Sequence, residues 1–184
     1  IQTALIEPLD GGIQLLLEVL LHCFRDIAHR DSFFVIKDAY RVLTDMYILL
    51  YFRIVKEEVV KKYQFKTEPF DHQRQALTDS WAAEYYALFM EMGTGKSKVA
   101  IDTIGILHMM EKINAAFIVA PKGVYDNWVK GEIPTHLPDD IERQIMRWTP
   151  ANTKKYQDEM WDFLFNEFRG LRIFVMNVEA LSTS

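Results

Sequence analysis

Seven consecutive residues, Glu91-Met92-Gly93-Thr94-Gly95-Lys96-Ser97, constrain this chain more than any others. An apolar run over residues 85–90 leads in and reads as a strand. A stretch with helical spacing over residues 96–111 leads out, with Val99, Ile101, Ile104 and Leu107 available to pack. Gly93 and Gly95 lack a Cβ, so the backbone there can turn left-handed and bring its amides close to an anion. The helix that opens at Lys96 aims its unpaired N–H groups and positive dipole end at the same place. Strand, glycine turn and helix in this order make a phosphate-binding P-loop. Its expected ligands are ATP and Mg²⁺. Met92, Gly93, Thr94, Gly95, Lys96 and Ser97 form the nucleotide site, Lys96 reaching the β and γ phosphates as the catalytic cation and the Ser97 hydroxyl holding Mg²⁺. The usual pattern has glycine where Met90 stands, so the match rests on the residues from Gly93 onward. The plainer alternative, a helix start that merely contains two glycines, does not account for Gly-x-Gly-Lys-Ser in this setting.

The rest of the chain divides by pattern. Residues 1–63 read as a small all-helical segment, a hairpin or bundle. Residues 13–29 are Leu-rich and contain no Gly or Pro, and Asp31-Ser32 offers a stop and a new cap. Ile36, Tyr40, Leu43, Tyr47, Leu50 and Ile54 then draw one apolar stripe along a second helix. Its charged end, residues 56–62, reads as a solvated helical connection. From residue 64 onward strands and helices alternate. Strands are expected at 115–120, 144–148 and 172–176. An amphipathic helix is expected over 154–168, with Tyr156, Met160, Trp161, Leu164 and Phe168 on one side. The pattern implies an α/β fold with a parallel sheet.

Composition narrows the class. The 184 residues are 49% hydrophobic and 26% charged, the profile of a globular domain. A net charge of -5 weighs against a wholly basic nucleic-acid binder, yet permits one local basic groove. The single cysteine, Cys23, excludes a disulfide within the chain and reads as a small buried apolar residue. The apolar run near residues 13–24 is broken by Glu18 and His22, too short for a membrane span and not preceded by a basic stretch. A cytoplasmic protein is the expectation, and the first residue, Ile1, is read as lying within a longer or processed product. The five histidines show no metal-ligand spacing.

The neighbours of the glycine loop refine its meaning. Upstream stands Pro69-Phe70-Asp71-His72-Gln73, with Gln73 23 positions before Lys96. A glutamine amide donates and accepts together, as the edge of adenine requires. Downstream, Phe117-Ile118-Val119-Ala120-Pro121-Lys122 ends a strand, and Asn127-Trp128, Glu132 and Pro134 follow. There Lys122 is a candidate phosphate-backbone contact, and Trp128 reads as an anchor to the core. Residues 173–182 are another strand leading into a polar turn with Asn177 and Glu179.

These blocks, in this order over residues 66–182, resemble Swi/Snf-like superfamily-two helicases and translocases, phage-type members included. Gln73 resembles the adenine-reading Q-motif, and the Pro121 to Trp128 block resembles motif Ia. The resemblance implies a partial RecA-like domain over residues 64–184 that binds ATP and tracks along nucleic acid, DNA by analogy with the family. It implies nothing about residues 1–63. The family's Asp-Glu box, second RecA-like domain and arginine finger find no match here. Glu57-Glu58 and Asp139-Asp140 stand in the wrong context. The domain is therefore expected to stop short of the Asp-Glu box, and this chain alone is expected to hydrolyse ATP very poorly. Two alternatives stay open: a motor subunit of a restriction-type enzyme, which shares these blocks, and a P-loop-derived interaction module that binds a protein partner through residues 1–63. A nucleotide kinase lacks the Gln73 and Pro121 blocks.

Overall fold

The computed structural model describes residues 33–151 and 153–182. The expected helix over residues 13–29, its cap at Asp31-Ser32, and Cys23 lie outside them. The chain divides into two compact units, Ile1–Phe52 and Arg53–Ser184. In the first unit the description is of one helix, α1 (Phe33–Lys62), which is continuous into the second unit. No helix among the described residues is long and apolar enough to cross a membrane.

The second unit is mixed α/β. Helix α2 (Asp71–Ser80) precedes the glycine loop, and α3 (Lys96–Met109) follows it. Strand β1 (Ala115–Ala120) leads to a broken helical passage made of α4 (Tyr125–Asn127), a π-helical turn over Trp128–Glu132 and α5 (Ile133–His136). Strand β2 (Arg143–Arg147), helix α6 (Lys154–Phe165) and strand β3 (Leu171–Asn177) complete it, with a 3₁₀ turn over Val178–Ser182. The three strands form a parallel sheet in the order β1-β3-β2. Ile118 pairs with Val175, and Ile145 with Ile173, so these side chains share one face. The chain passes from β1 out to β2 and returns to β3. That reversal of direction sends its connections to opposite faces of the sheet.

Two cores result. Val59, Val60, Tyr63, Leu77, Trp81, Val99 and Ile106 make the first. Ile101, Ile118, Ile133, Leu137, Leu171, Ile173 and Val175 make the second, beneath the sheet. Central strand β3 alternates as the parallel sheet demands, with Leu171, Ile173 and Val175 fully buried. The opposite face is thinly covered. Phe117 stacks on Phe174 at 5.6 Å and remains exposed, while Phe163 of α6 approaches Phe174 at 6.2 Å.

Three expectations are corrected. Residues 85–90 form no strand. Residues 85–87 are exposed, and only the end of the run alternates, Leu88 and Met90 against the first core and Phe89 turned out; no strand among the described residues pairs with it. An apolar run specifies a strand only where a neighbour supplies hydrogen bonds. The end of α1 is not a solvated connection: Val59, Val60 and the following Tyr63 are core residues. Helix α6 ends at Phe165, and its half-buried line is Tyr156, Met160 and Phe163, with Trp161 and Leu164 exposed. The helix is rotated from the expected stripe because Phe163, not Leu164, meets the sheet.

One polar pair is sealed between the cores. Lys98 Nζ lies 2.7 Å from Asp102 Oδ2, with both side chains almost wholly buried. Burial outweighs the nearby Lys98 ammonium and pushes the Asp102 carboxyl up to about 6 from its ordinary 3.8. The folded state therefore holds this proton more tightly than the unfolded chain. The associated stability is fully present below pH 3.8 and is lost as pH rises through about 6. A carbon-detected NMR titration is expected to place the Asp102 carboxyl near pH 6, and Asp102→Asn is expected to remove this contribution from the slope of stability against pH. A carboxyl titrating near 4 contradicts it. The two sheet faces generate a second expectation: Ile173→Ala costs about 2–5 kcal/mol in urea denaturation, and Phe117→Ala about 1 kcal/mol or less.

Candidate functional site

The glycine loop is built as its residues require. Gly93 and Gly95 have φ of +78° and +88°, the left-handed region that disfavours any residue with a Cβ. Gly95 is the N-cap of α3, so the helix's free N–H groups open into the loop. Val99 N donates to Gly95 O at 3.1 Å and starts the helical ladder. Lys96 and Ser97 occupy the first helical turn, half-buried, and Met92 projects outward at 95% exposure. The Lys96 amine is turned back onto the loop, donating to Met90 O at 2.8 Å and Glu91 O at 2.7 Å. Thr94 Oγ1 donates to the same Glu91 carbonyl at 2.7 Å.

The structure brings Gln73 to this loop. Its Nε2 donates to Thr94 O at 2.9 Å, while its Oε1 accepts from Phe70 N at 3.1 Å. The same amide thus caps the start of α2 and grips the loop backbone. One amide hydrogen and one carbonyl lone pair stay uncommitted in these two bonds. The side chain is buried at 5% exposure, and a Cβ on Gly95 would collide with its amide. Close approach of α2 is thus a second reason, beyond φ, for glycine at position 95. His72 Nε2 lies 3.0 Å from the same Thr94 carbonyl, and its ring stacks on exposed Phe70 at 5.9 Å.

Lys122 stands apart from the loop. It is exposed just beyond the carboxyl end of β1. Across from it, the Asn177 side chain at the end of β3 donates to Glu179 Oε2 at 2.9 Å. That bond, Glu179's own backbone and the Lys122 amide and charge hold the Glu179 carboxyl below its ordinary range. Asn127 and Glu132 are joined as well, Nδ2 to Oε1 at 3.0 Å, across the π-helical turn. Trp128 packs against the second core, as an anchor would. Among the described residues, no group of three or more His, Cys, Asp or Glu side chains is placed to hold a metal ion. An Mg²⁺ site here would use the Ser97 hydroxyl and the oxygens of the phosphates themselves.

Sequence reading missed His72, the gripping of Thr94 by Gln73, and the Lys98–Asp102 pair. Only the position of His72, beside Gln73, gave a hint. The loop geometry predicts an ordered pair of effects. Gly93→Ala, with open space around its Cβ position, is expected to cost about 1–2 kcal/mol from backbone strain alone. Gly95→Ala is expected to cost more, and Gln73→Ala/Gly95→Ala less than the sum of its two single variants, because the collision is then removed. A double-mutant cycle in urea checks this, and strict additivity contradicts it.

In comparisons with known proteins, the chain matches no family model, no curated protein and no solved structure.

Proposed function

We propose that residues 64–184 are the amino-terminal part of a RecA-like ATP-binding domain, and that the protein is an ATP-driven helicase or translocase of Swi/Snf-like type acting on nucleic acid. The observation that carries this reading is the pair of left-handed glycines opening α3, held from behind by the Gln73 amide. The free N–H groups at the start of α3 open into this loop, as a phosphate site requires, and Lys96 stands in the same first turn. Gln73 belongs to that site and Lys122 lies at the carboxyl edge of the sheet, the side on which open parallel sheets bind their ligands. The short parallel sheet supports an α/β nucleotide-binding architecture, and the order of the blocks supports the motor class over other P-loop enzymes.

In this reading the Ser97 hydroxyl would hold the Mg²⁺ that accompanies ATP, and Lys96 would exchange its two carbonyl partners for phosphate oxygens. Turnover needs more. Among the described residues no adjacent acidic pair stands at the end of a strand: Asp139-Asp140 stands between α5 and β2, and Asp158-Glu159 lies inside α6. The arginine finger that contributes on the order of 10³–10⁵ in rate has no counterpart in the matched blocks.

Titration of the 184-residue chain with a fluorescent ATP analogue and Mg²⁺ tests this. Saturable binding is expected, weakened by about ten- to hundred-fold in Lys96→Ala, the value of a lost charge-assisted hydrogen bond. The same chain is expected to show no clear steady ATPase rate. Unchanged binding in Lys96→Ala overturns the phosphate site, and a robust steady rate overturns the view that the chemistry needs further parts.

A further inference from the structure

Residues 64–70 join α1 to α2 without regular structure, and one buried cation holds them. Lys98 Nζ donates to Thr67 O at 2.6 Å and to Asp102 Oδ2 at 2.7 Å, and lies 5.2 Å from the centre of the Phe65 ring. Two of the three ammonium donors are thus used within the protein, and the cation also lies against an aromatic ring. Thr67 is held a second time, through its hydroxyl, 2.7 Å from His136 Nδ1. Just before this strap, Tyr63 rests in a notch on α3 that exists because residue 105 is glycine: a Cβ there would collide with the Tyr63 hydroxyl. Six residues beyond Thr67 stands Gln73, gripping Thr94.

These bonds close a ring. From Thr94 the chain runs through Lys96 to Lys98, across to Thr67, along the strap to Gln73, and back to Thr94. An ion pair sealed between two apolar cores is a poor way to gain stability, since an apolar pair of similar volume does as well or better. What an apolar pair cannot do is hold a backbone carbonyl in a fixed place. We propose that Lys98, with Asp102 as its counter-charge, is a positioning residue for the glycine loop: it fixes the strap so that Gln73 holds the Thr94 carbonyl. Its consequence for nucleotide binding rests on the function proposed above, but its mechanical role does not.

Amide hydrogen exchange of the whole chain without nucleotide tests the mechanical role. The variants are Lys98→Met/Asp102→Leu, which keeps the volume without the charges, Asp102→Asn, which keeps an acceptor for Lys98, and Gln73→Ala. In the double variant, exchange of the Thr94 amide, which donates to Glu91 O at 3.4 Å, is expected to rise about ten-fold relative to exchange in β3, matching Gln73→Ala. Asp102→Asn is expected to keep the loop protected. If the loop and β3 gain exchange equally in the double variant, or the loop does not change, the pair only supports the core and the proposal is overturned. Should the double variant fail to fold, Asp102→Asn decides by the same ratio: a loop loosened while Lys98 retains its acceptor and its bond to Thr67 overturns it. A parallel MgATP titration is expected to show the double variant weakened to the level of Gln73→Ala. A wild-type chain that binds no MgATP refutes the ATP reading and leaves the exchange result standing.

Discussion

The fold hangs on the two apolar sides of α3. Val99 and Ile106, seven residues apart, face the first core, and Ile101 faces the second. A helix buried on both sides cannot slide or rotate without opening one core or the other. Its first turn carries Lys96 and Ser97, so the glycine loop inherits this immobility. The first core also fixes α2, through Leu77, and the end of α1, through Val59 and Val60. Gln73 therefore reaches Thr94 from a helix that packs in the same core as the helix following the loop.

What the sequence made legible was whatever depends on near neighbours. The glycine loop, the start of α3 and the three paired strands all follow from periods of two or 3.6 and from the special backbone freedom of glycine. The unpaired run at 85–90 carries the same local pattern as a true strand, and only the position of distant chain decides whether hydrogen bonds are there to be made. Lys98 and Asp102 illustrate the same limit. A Lys and an Asp four apart on a helix ordinarily form a solvent-facing pair. Burial of this one follows from cores on both sides of α3, built from residues as far apart as Val59 and Val175. The orientation of α6 failed for a smaller reason: several apolar residues competed for one face, and the sheet accepted Phe163 rather than Trp161 or Leu164.

Gln73 has two demands on one amide. Reading a base edge asks for a donor and an acceptor presented outward, whereas gripping Thr94 and capping α2 uses one of each inward. The amide has enough valence for both, but a side chain at 5% exposure can present its remaining donor and acceptor only along directions that its inward bonds leave open. Under the proposed function, a base edge would have to meet the amide along those directions. A ligand that satisfies the outward half of the amide would, under the same proposed function, also strengthen the inward half by polarising it.

The turned-back Lys96 amine fits this economy of partners. Its two carbonyl bonds at 2.7 and 2.8 Å satisfy the cation, and they draw residues 90 and 91 toward the helix start. Under the proposed function, a phosphate would replace neutral acceptors with charged ones, so the exchange would favour the anion while Gln73 holds the loop backbone from the other side. Were the loop not held at Thr94, release of Met90 and Glu91 would let it spread and would cost ordering on rebinding. The grip from α2 would thus, under the proposed function, let Lys96 change partners while Thr94 stays held.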